Sequence, residues 1–239
     1  MLVGREVARR TLSGDDRIAN LAFAMWWYGL GALSFAGGLF SVAAALGQTD
    51  LALHVVFLNV AIILICAGFW GLAYYLLYVY TGQKFWIWPV AAFYGFYLVY
   101  LLYLIAAAQP TSIQLTKWGT EFTWTREPAS FPNARTILLP FVLPLVLGAL
   151  AYLSLLFRVK VHIQRYRIAM VAGSILVWFG SSFVATLLQI SAEDWWQIAN
   201  RCISLGAALM VFAAFRPPPW ISRRLDAAPP APPPVDGPS

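Results

Sequence analysis

Six long runs of apolar residues, separated by polar segments, dominate the pattern of the chain. They cover residues 18–46, 51–80, 85–108, 136–157, 168–190 and 195–215. Each run has the ~20 residues that an α-helix needs to cross ~30 Å of bilayer hydrocarbon. Within a run the apolar residues are continuous rather than alternating, which favours helices over the strands of a membrane β-barrel. The pattern predicts an all-α polytopic membrane protein with a bundle of six transmembrane helices.

The connections between the runs are short, except for residues 109–135. Two Thr-rich and partly alternating stretches, 112–117 and 120–125, flank Trp118 and Gly119 in this segment. Glycine can adopt the left-handed conformation that tight turns between strands require. We therefore expect a small external β-hairpin in the 109–135 loop.

The polar ends of the chain complete the predicted domain organisation. Residues 1–17 are polar and basic, and the long apolar run that follows ends without a small-residue cleavage pattern, which indicates a retained cytoplasmic leader. Residues 18–216 form the predicted transmembrane domain. Residues 217–239 are Pro-rich and poor in apolar side chains other than alanine, so we expect an extended or disordered cytoplasmic tail.

Composition and charge support the membrane assignment and give it an orientation. The chain is 61% hydrophobic and 11% charged, whereas soluble domains average about 45–50% and about 25%. The six-helix topology puts twelve of the sixteen Lys and Arg residues on one side and only Lys117, Arg126 and Arg135 on the other. This bias predicts a multi-pass cell-membrane protein with both termini in the cytoplasm. The net charge of +6 is explained by the basic loops, so we expect no nucleic-acid partner.

The sixth run carries the remaining arginine, Arg201, within its apolar sequence. Polar residues recur around it at helical spacing: Glu193, Gln197, Asn200 with Arg201, and Ser204. A polar stripe is costly against lipid, so we expect it to face the bundle or a wet cavity. One interpretation is an outward-opening pocket in which Arg201 serves an anion or proton pathway. The other is that Arg201 extends to the outer interface and pairs with Asp194 or with Glu121 of the external loop.

Two further groups of side chains are candidate binding residues. His54 and Asn59 lie in the outer half of the second run, where His54 either joins the Arg201 cluster or is a satisfied interfacial residue. Tyr94 and Tyr97 begin a series of tyrosines at steps of three in the third run. A flat hydrophobic ligand such as a quinone, carotenoid or retinoid can stack on them, although core packing also explains the series.

The sequence contains no signature of a known catalytic or metal site. Walker A, GxSxG, HExxH and CxxC patterns are absent, and two cysteines cannot complete a structural zinc site by themselves. We therefore expect a non-enzymatic sensory, scaffolding or accessory subunit that binds a protein partner, a second copy or a small apolar ligand. The alternative is a small channel or transporter with a polar pathway near Arg201, and a membrane enzyme comes third. The residues indicate no particular cofactor, and the lipid bilayer is the one partner that follows directly from composition.

Overall fold

The chain is mostly helical in a computed structural model that describes residues 17–48, 50–116, 119–125, 143–188 and 194–226. The helices are α1 (Arg17–Ala45), α2 (Leu51–Thr81), α3 (Ile87–Ala108), α4 (Leu143–Ser154), α5 (His162–Leu187), α6 (Asp194–Phe215) and α7 (Pro219–Asp226). Single 3₁₀ turns, Lys84–Trp86 and Leu155–Phe157, precede α3 and extend α4. The two strands are β1 (Pro110–Thr116) and β2 (Gly119–Trp124).

Five of these helices are long and apolar enough to cross a membrane: α1, α2, α3, α5 and α6. Their bounds agree closely with five of the six apolar runs. Within the described residues, α4 and its 3₁₀ extension cover only Leu143–Phe157, which is shorter than a full crossing. The first part of the predicted fourth run, residues 136–142, lies outside the described ranges. Six crossings therefore stay a prediction.

Local capping residues set both ends of α2. The Asp50 side chain accepts a hydrogen bond from the Ala52 backbone N–H at 2.9 Å, as an N-cap residue does. At the other end, Gly82 adopts a left-handed conformation with φ 72°, and its N–H donates to the Tyr78 carbonyl at 2.7 Å. These caps explain why α2 begins and ends where the hydrophobic pattern predicts.

The core is formed around α2, which packs against α1, α3 and α4. Helix α5 packs against both α4 and α6. Aromatic rings fill the contacts between helices. Phe23 of α1 stacks on Tyr75 of α2 with 4.5 Å between ring centroids. Trp26 contacts Phe69 at 5.0 Å and Phe179 of α5 at 5.9 Å. The three helices α1, α2 and α5 therefore meet at Trp26.

The predicted β-hairpin is confirmed as a two-stranded antiparallel sheet. β1 pairs with β2 in a register that places Ile113 opposite Phe122 and Thr116 opposite Gly119. The sheet contacts α1 and α2. The turn residues 117–118 lie outside the described part of the chain, and the external location of the hairpin remains a prediction.

The predicted extended tail is wrong for residues 219–226, which form α7. Pro219 occupies the first helical position, where its fixed φ and missing N–H are tolerated. The segment that follows has an amphipathic helical pattern, and α7 contacts α5. The leader residues 1–16 and the tail residues 227–239 lie outside the described ranges.

Candidate functional site

The polar residues of α6 do not share one face. Ala207, Val211 and Ala214 are buried and define the side of α6 that packs on the bundle. Asn200 lies two turns before Ala207 and therefore points to the same side. It is half-buried, and its Oδ1 atom has no hydrogen-bond partner among the described residues.

Arg201 lies on a different side of α6 from its buried residues, and the expectation that the stripe faces the bundle or a wet cavity stays a prediction. Its side chain is exposed on the surface of the single chain. The physical reason is that adjacent helical residues are rotated by about 100°, so Asn200 and Arg201 cannot both point inward. Arg201 nevertheless takes part in at least one polar or ring interaction, as do Asp194 and Gln197.

The other members of the predicted α6 stripe are divided in the same way. Asp194 is exposed and Gln197 is half-buried. Ser204 donates to the Asn200 carbonyl at 2.8 Å, so its hydroxyl is satisfied within the helix. Glu193 and the side chain of Glu121 lie outside the part of the chain that the structure describes. The place of Glu193 in the stripe and the pairing of Glu121 with Arg201 therefore stay predictions.

His54 is held by its own neighbourhood. Its ring is 1% exposed, with Nδ1 2.9 Å from the Asp50 carbonyl oxygen. The edge of Phe40 contacts the imidazole at a centroid distance of 5.1 Å. Asn59 is half-buried one turn further along α2. His54 thus packs between α1 and the first turn of α2, and its Nε2 atom has no hydrogen-bond partner among the described residues. The choice between its two interpretations stays a prediction.

Tyr94 lies at a groove between α2 and α3. The groove has a volume of about 310 Å³, and we call it the α2–α3 groove. Its lining residues are almost all apolar: Ile63, Cys66, Ala67, Trp70, Ala91, Tyr94, Gly95 and Leu98. Tyr94 is 3% exposed, and its ring is wedged against Phe69 at 6.3 Å and Phe93 at 5.1 Å.

Tyr97 does not line this groove. Its side chain is half-buried, with ring contacts to Phe93 at 6.2 Å and Tyr100 at 5.8 Å. The tyrosines at steps of three, which suggested a common ligand surface, therefore continue as a row of aromatic rings along α3. Of the two predicted tyrosines, Tyr94 alone contributes to the groove.

Sequence reasoning missed most of the groove. Cys66, Trp70 and Gly95 were not among the predicted site residues. The available signal was residue pairs four positions apart, which lie on one side of a helix. Cys66 and Trp70 form such a pair in the second predicted helix, and Ala91 and Gly95 form one in the third. Which of these sides meet is decided by packing between helices and not by either helix alone.

A second cavity, also missed, lies at the opposite end of α2 from His54. It has a volume of about 500 Å³ and is lined by the ends of five helices. Its lining includes Asn20, Tyr75, Tyr152, Gln164, Arg167 and Phe215, and we call it the basal cavity. Sequence reasoning had counted Arg167 only among the twelve basic residues on one side, because it lies in a basic stretch beginning at Arg158.

Neither a metal-binding group nor a similar protein indicates the function of the chain. No group of three or more His, Cys, Asp or Glu side chains within the described ranges can hold a metal ion. Both cysteines are free, Cys66 buried and Cys202 exposed. Family models, curated proteins and solved structures contain no match to this chain. The groove and the cavity are therefore the candidate functional sites of the chain.

Proposed function

We propose that the chain is a multi-pass membrane protein that acts as a sensory, scaffolding or accessory subunit and binds a small apolar ligand in the α2–α3 groove. The observation that carries this proposal is the apolar groove beside the buried Tyr94 ring. The proposed topology has six crossings, an external hairpin and both termini in the cytoplasm. Its support is the basic bias of twelve residues to three among the sixteen Lys and Arg, together with five long apolar helices.

The composition of the groove favours a ligand that arrives from the lipid phase. Small side chains at Ala67, Ala91 and Gly95 form the recess, and Trp70 and Tyr94 supply flat aromatic walls. Aromatic walls favour stacked or edge contacts with a planar conjugated group. A volume of about 310 Å³ lies at the lower end of ligand sites, which run from about 300 to 1,000 Å³. The site thus fits the ring portion of a quinone or retinoid, with its chain left in the bilayer.

The walls of the groove are held in place before any ligand binds. Trp70 Nε1 donates to the Ile87 carbonyl at 3.4 Å, which ties the middle of α2 to the start of α3. Phe69 holds the Tyr94 ring from the side of α2. A preorganised site loses little conformational entropy on binding. Because α2 also packs against α1 and α4, a ligand that bridges α2 and α3 acts on the central helix of the bundle.

Filling the groove with a side chain tests the proposal. A Cβ at Gly95 meets nothing within 4 Å, so Gly95→Leu occupies the recess without a backbone clash. Decylubiquinone and retinol, added to the purified protein in detergent, should raise the thermal midpoint of the wild type by several degrees and leave that of Gly95→Leu unchanged.

Gly38→Leu is the matched control for this measurement. Gly38 is also an exposed helical glycine with nothing within 4 Å of an added Cβ, but it lies on α1 away from the groove. Its midpoint should rise with ligand as in the wild type. Equal responses of Gly95→Leu and the wild type to both ligands, or no response of the wild type to either, would contradict the proposal.

A channel or transporter near Arg201 is the less supported alternative. Arg201 is exposed and Asn200 faces the bundle, so the two residues do not line one pathway within the chain. Ion or solute flux by the pure protein in liposomes, abolished by Arg201→Leu, would favour this alternative over ligand binding.

A further inference from the structure

The basal cavity combines hydrogen-bond donors with one positive charge. Arg167 of α5 is the one formally charged residue among its described lining residues, beside the amides of Asn20 and Gln164. The guanidinium lies within electrostatic range of the Tyr152 hydroxyl. The Tyr75 and Tyr152 hydroxyls are 3.5 Å apart at the contact between α2 and α4. A guanidinium, phenols and amides together form a donor set suited to an oxyanion.

Every charged side chain that the structure describes at this end of the bundle is basic. Exposed Arg17 lies one turn before Asn20, and exposed Arg216 follows Phe215. The described acidic side chains Asp50 and Asp194 begin α2 and α6, whereas the cavity lies at the ends of those helices. An anion approaching this end of the bundle therefore meets a positive field.

The remaining lining of the cavity is apolar. Leu155, Val159, Ile168 and Phe215 form a wall beside the polar residues, and Phe215 packs on Phe23 at 5.9 Å. A free inorganic anion makes no apolar contact with this wall. An amphiphile fills both parts, with its anionic head at Arg167 and the start of its chain on the apolar wall.

We propose that the basal cavity binds one anionic phospholipid, whose head-group phosphate accepts hydrogen bonds from Arg167 and the neighbouring hydroxyl and amide groups. The site shares no lining residue with the α2–α3 groove and does not depend on a ligand there. With the proposed topology it opens to the cytoplasmic leaflet. A specific lipid site of this kind differs from the general attraction of basic loops to a negatively charged membrane surface.

Calorimetric titration of the full chain in a neutral maltoside detergent tests this inference. The probes are dioctanoyl phosphatidylglycerol, dioctanoyl phosphatidylcholine with the same chains, and inorganic phosphate. The phosphatidylglycerol Kd should be lower than the phosphatidylcholine Kd by about tenfold, because an arginine–phosphate contact is a charge-assisted pair. Phosphate alone should bind at least about tenfold more weakly than phosphatidylglycerol, because it makes no apolar contact.

Variants of two arginines on α5 distinguish lipid binding in the basal cavity from general attraction to the positive charge at this end of the bundle. Arg167→Gln should weaken phosphatidylglycerol binding about tenfold. Arg165→Gln removes the same charge from an exposed residue outside the cavity and should change the Kd less than about twofold. Arg167→Lys keeps the charge and should retain part of the preference even if the Gln variant folds poorly.

Four results would overturn the inference. The first two are equal Kd values for the two lipids and equal losses of phosphatidylglycerol affinity in Arg165→Gln and Arg167→Gln. The third is phosphate binding as tight as phosphatidylglycerol binding. The fourth is a preference for phosphatidylglycerol that appears only in an Asp15→Asn/Asp16→Asn variant. The last result would mean that acids of the chain's own leader occupy the cavity in place of lipid.

Discussion

At the scale of single residues, the α1–α2 contact depends on the missing side chain of Gly71. A Cβ at this position collides with the carbonyl oxygen of Ala22 on α1. Because the neighbouring atom is backbone, it cannot rotate away. Gly71→Ala should therefore destabilise the fold by about 1–3 kcal/mol, the usual cost of overpacking. The measurement is the thermal midpoint in detergent, which should fall by several degrees.

Gly206→Ala provides the control for this change. Gly206 is a helical glycine of α6 with nothing within 4 Å of an added Cβ. Alanine has the higher helix propensity by up to about 1 kcal/mol, so this variant should be neutral or more stable. A Gly71→Ala midpoint equal to or above that of Gly206→Ala would contradict the close α1–α2 contact.

Arg201 allows a second residue-scale prediction. Its side chain is exposed and lies about two turns inside α6, so we expect the guanidinium to extend to the membrane interface, where any pair it makes contributes only about 0–1 kcal/mol. Arg201→Leu should shift the thermal midpoint by no more than about 2 °C, and Arg201→Lys should behave like the wild type. A loss of several degrees in both variants would show instead that Arg201 belongs to a specific bidentate network.

At the scale of elements, α7 supports the bundle although it lies in a segment rich in proline. It contacts α5, and its amphipathic pattern is that of a helix lying on a surface. Deleting residues 227–239 should leave the thermal midpoint unchanged, whereas deleting 217–239 should lower it by a few degrees. If both truncations give the wild-type midpoint, the contact between α7 and α5 does not stabilise the fold.

Several elements were predictable because their signals are local. Asp50 and Gly82 mark the ends of α2, and the Thr-rich arms around Gly119 mark the hairpin. The helix α7 was missed because the overall Pro content of residues 217–239 obscured an eight-residue amphipathic segment. The side of α6 that packs on the bundle was not predictable, because apolar residues surround the polar stripe and the periodicity does not indicate which side is buried. Both cavities depend on contacts between distant segments.

At the scale of the whole molecule, the proposed topology makes a direct prediction. In a Cys66→Ser/Cys202→Ser background, a membrane-impermeant maleimide should label Thr120→Cys in intact cells and Gln164→Cys only after permeabilisation. The reason is the basic bias, which puts the α4–α5 connection in the cytoplasm and the hairpin outside. The opposite labelling pattern would invert the bundle and place the basal cavity at the outer leaflet.

The central position of α2 also limits how the length of the chain can change. This one helix of 31 residues packs against α1, α3 and α4. A single inserted residue near its middle rotates everything beyond it by about 100° and advances it by about 1.5 Å. Phe69, Leu72 and Tyr75 would then turn away from the core together. A change of about seven residues, close to two full turns, is needed before the original faces return. Among related chains, insertions and deletions should therefore fall in the connections, and the length of α2 should stay fixed.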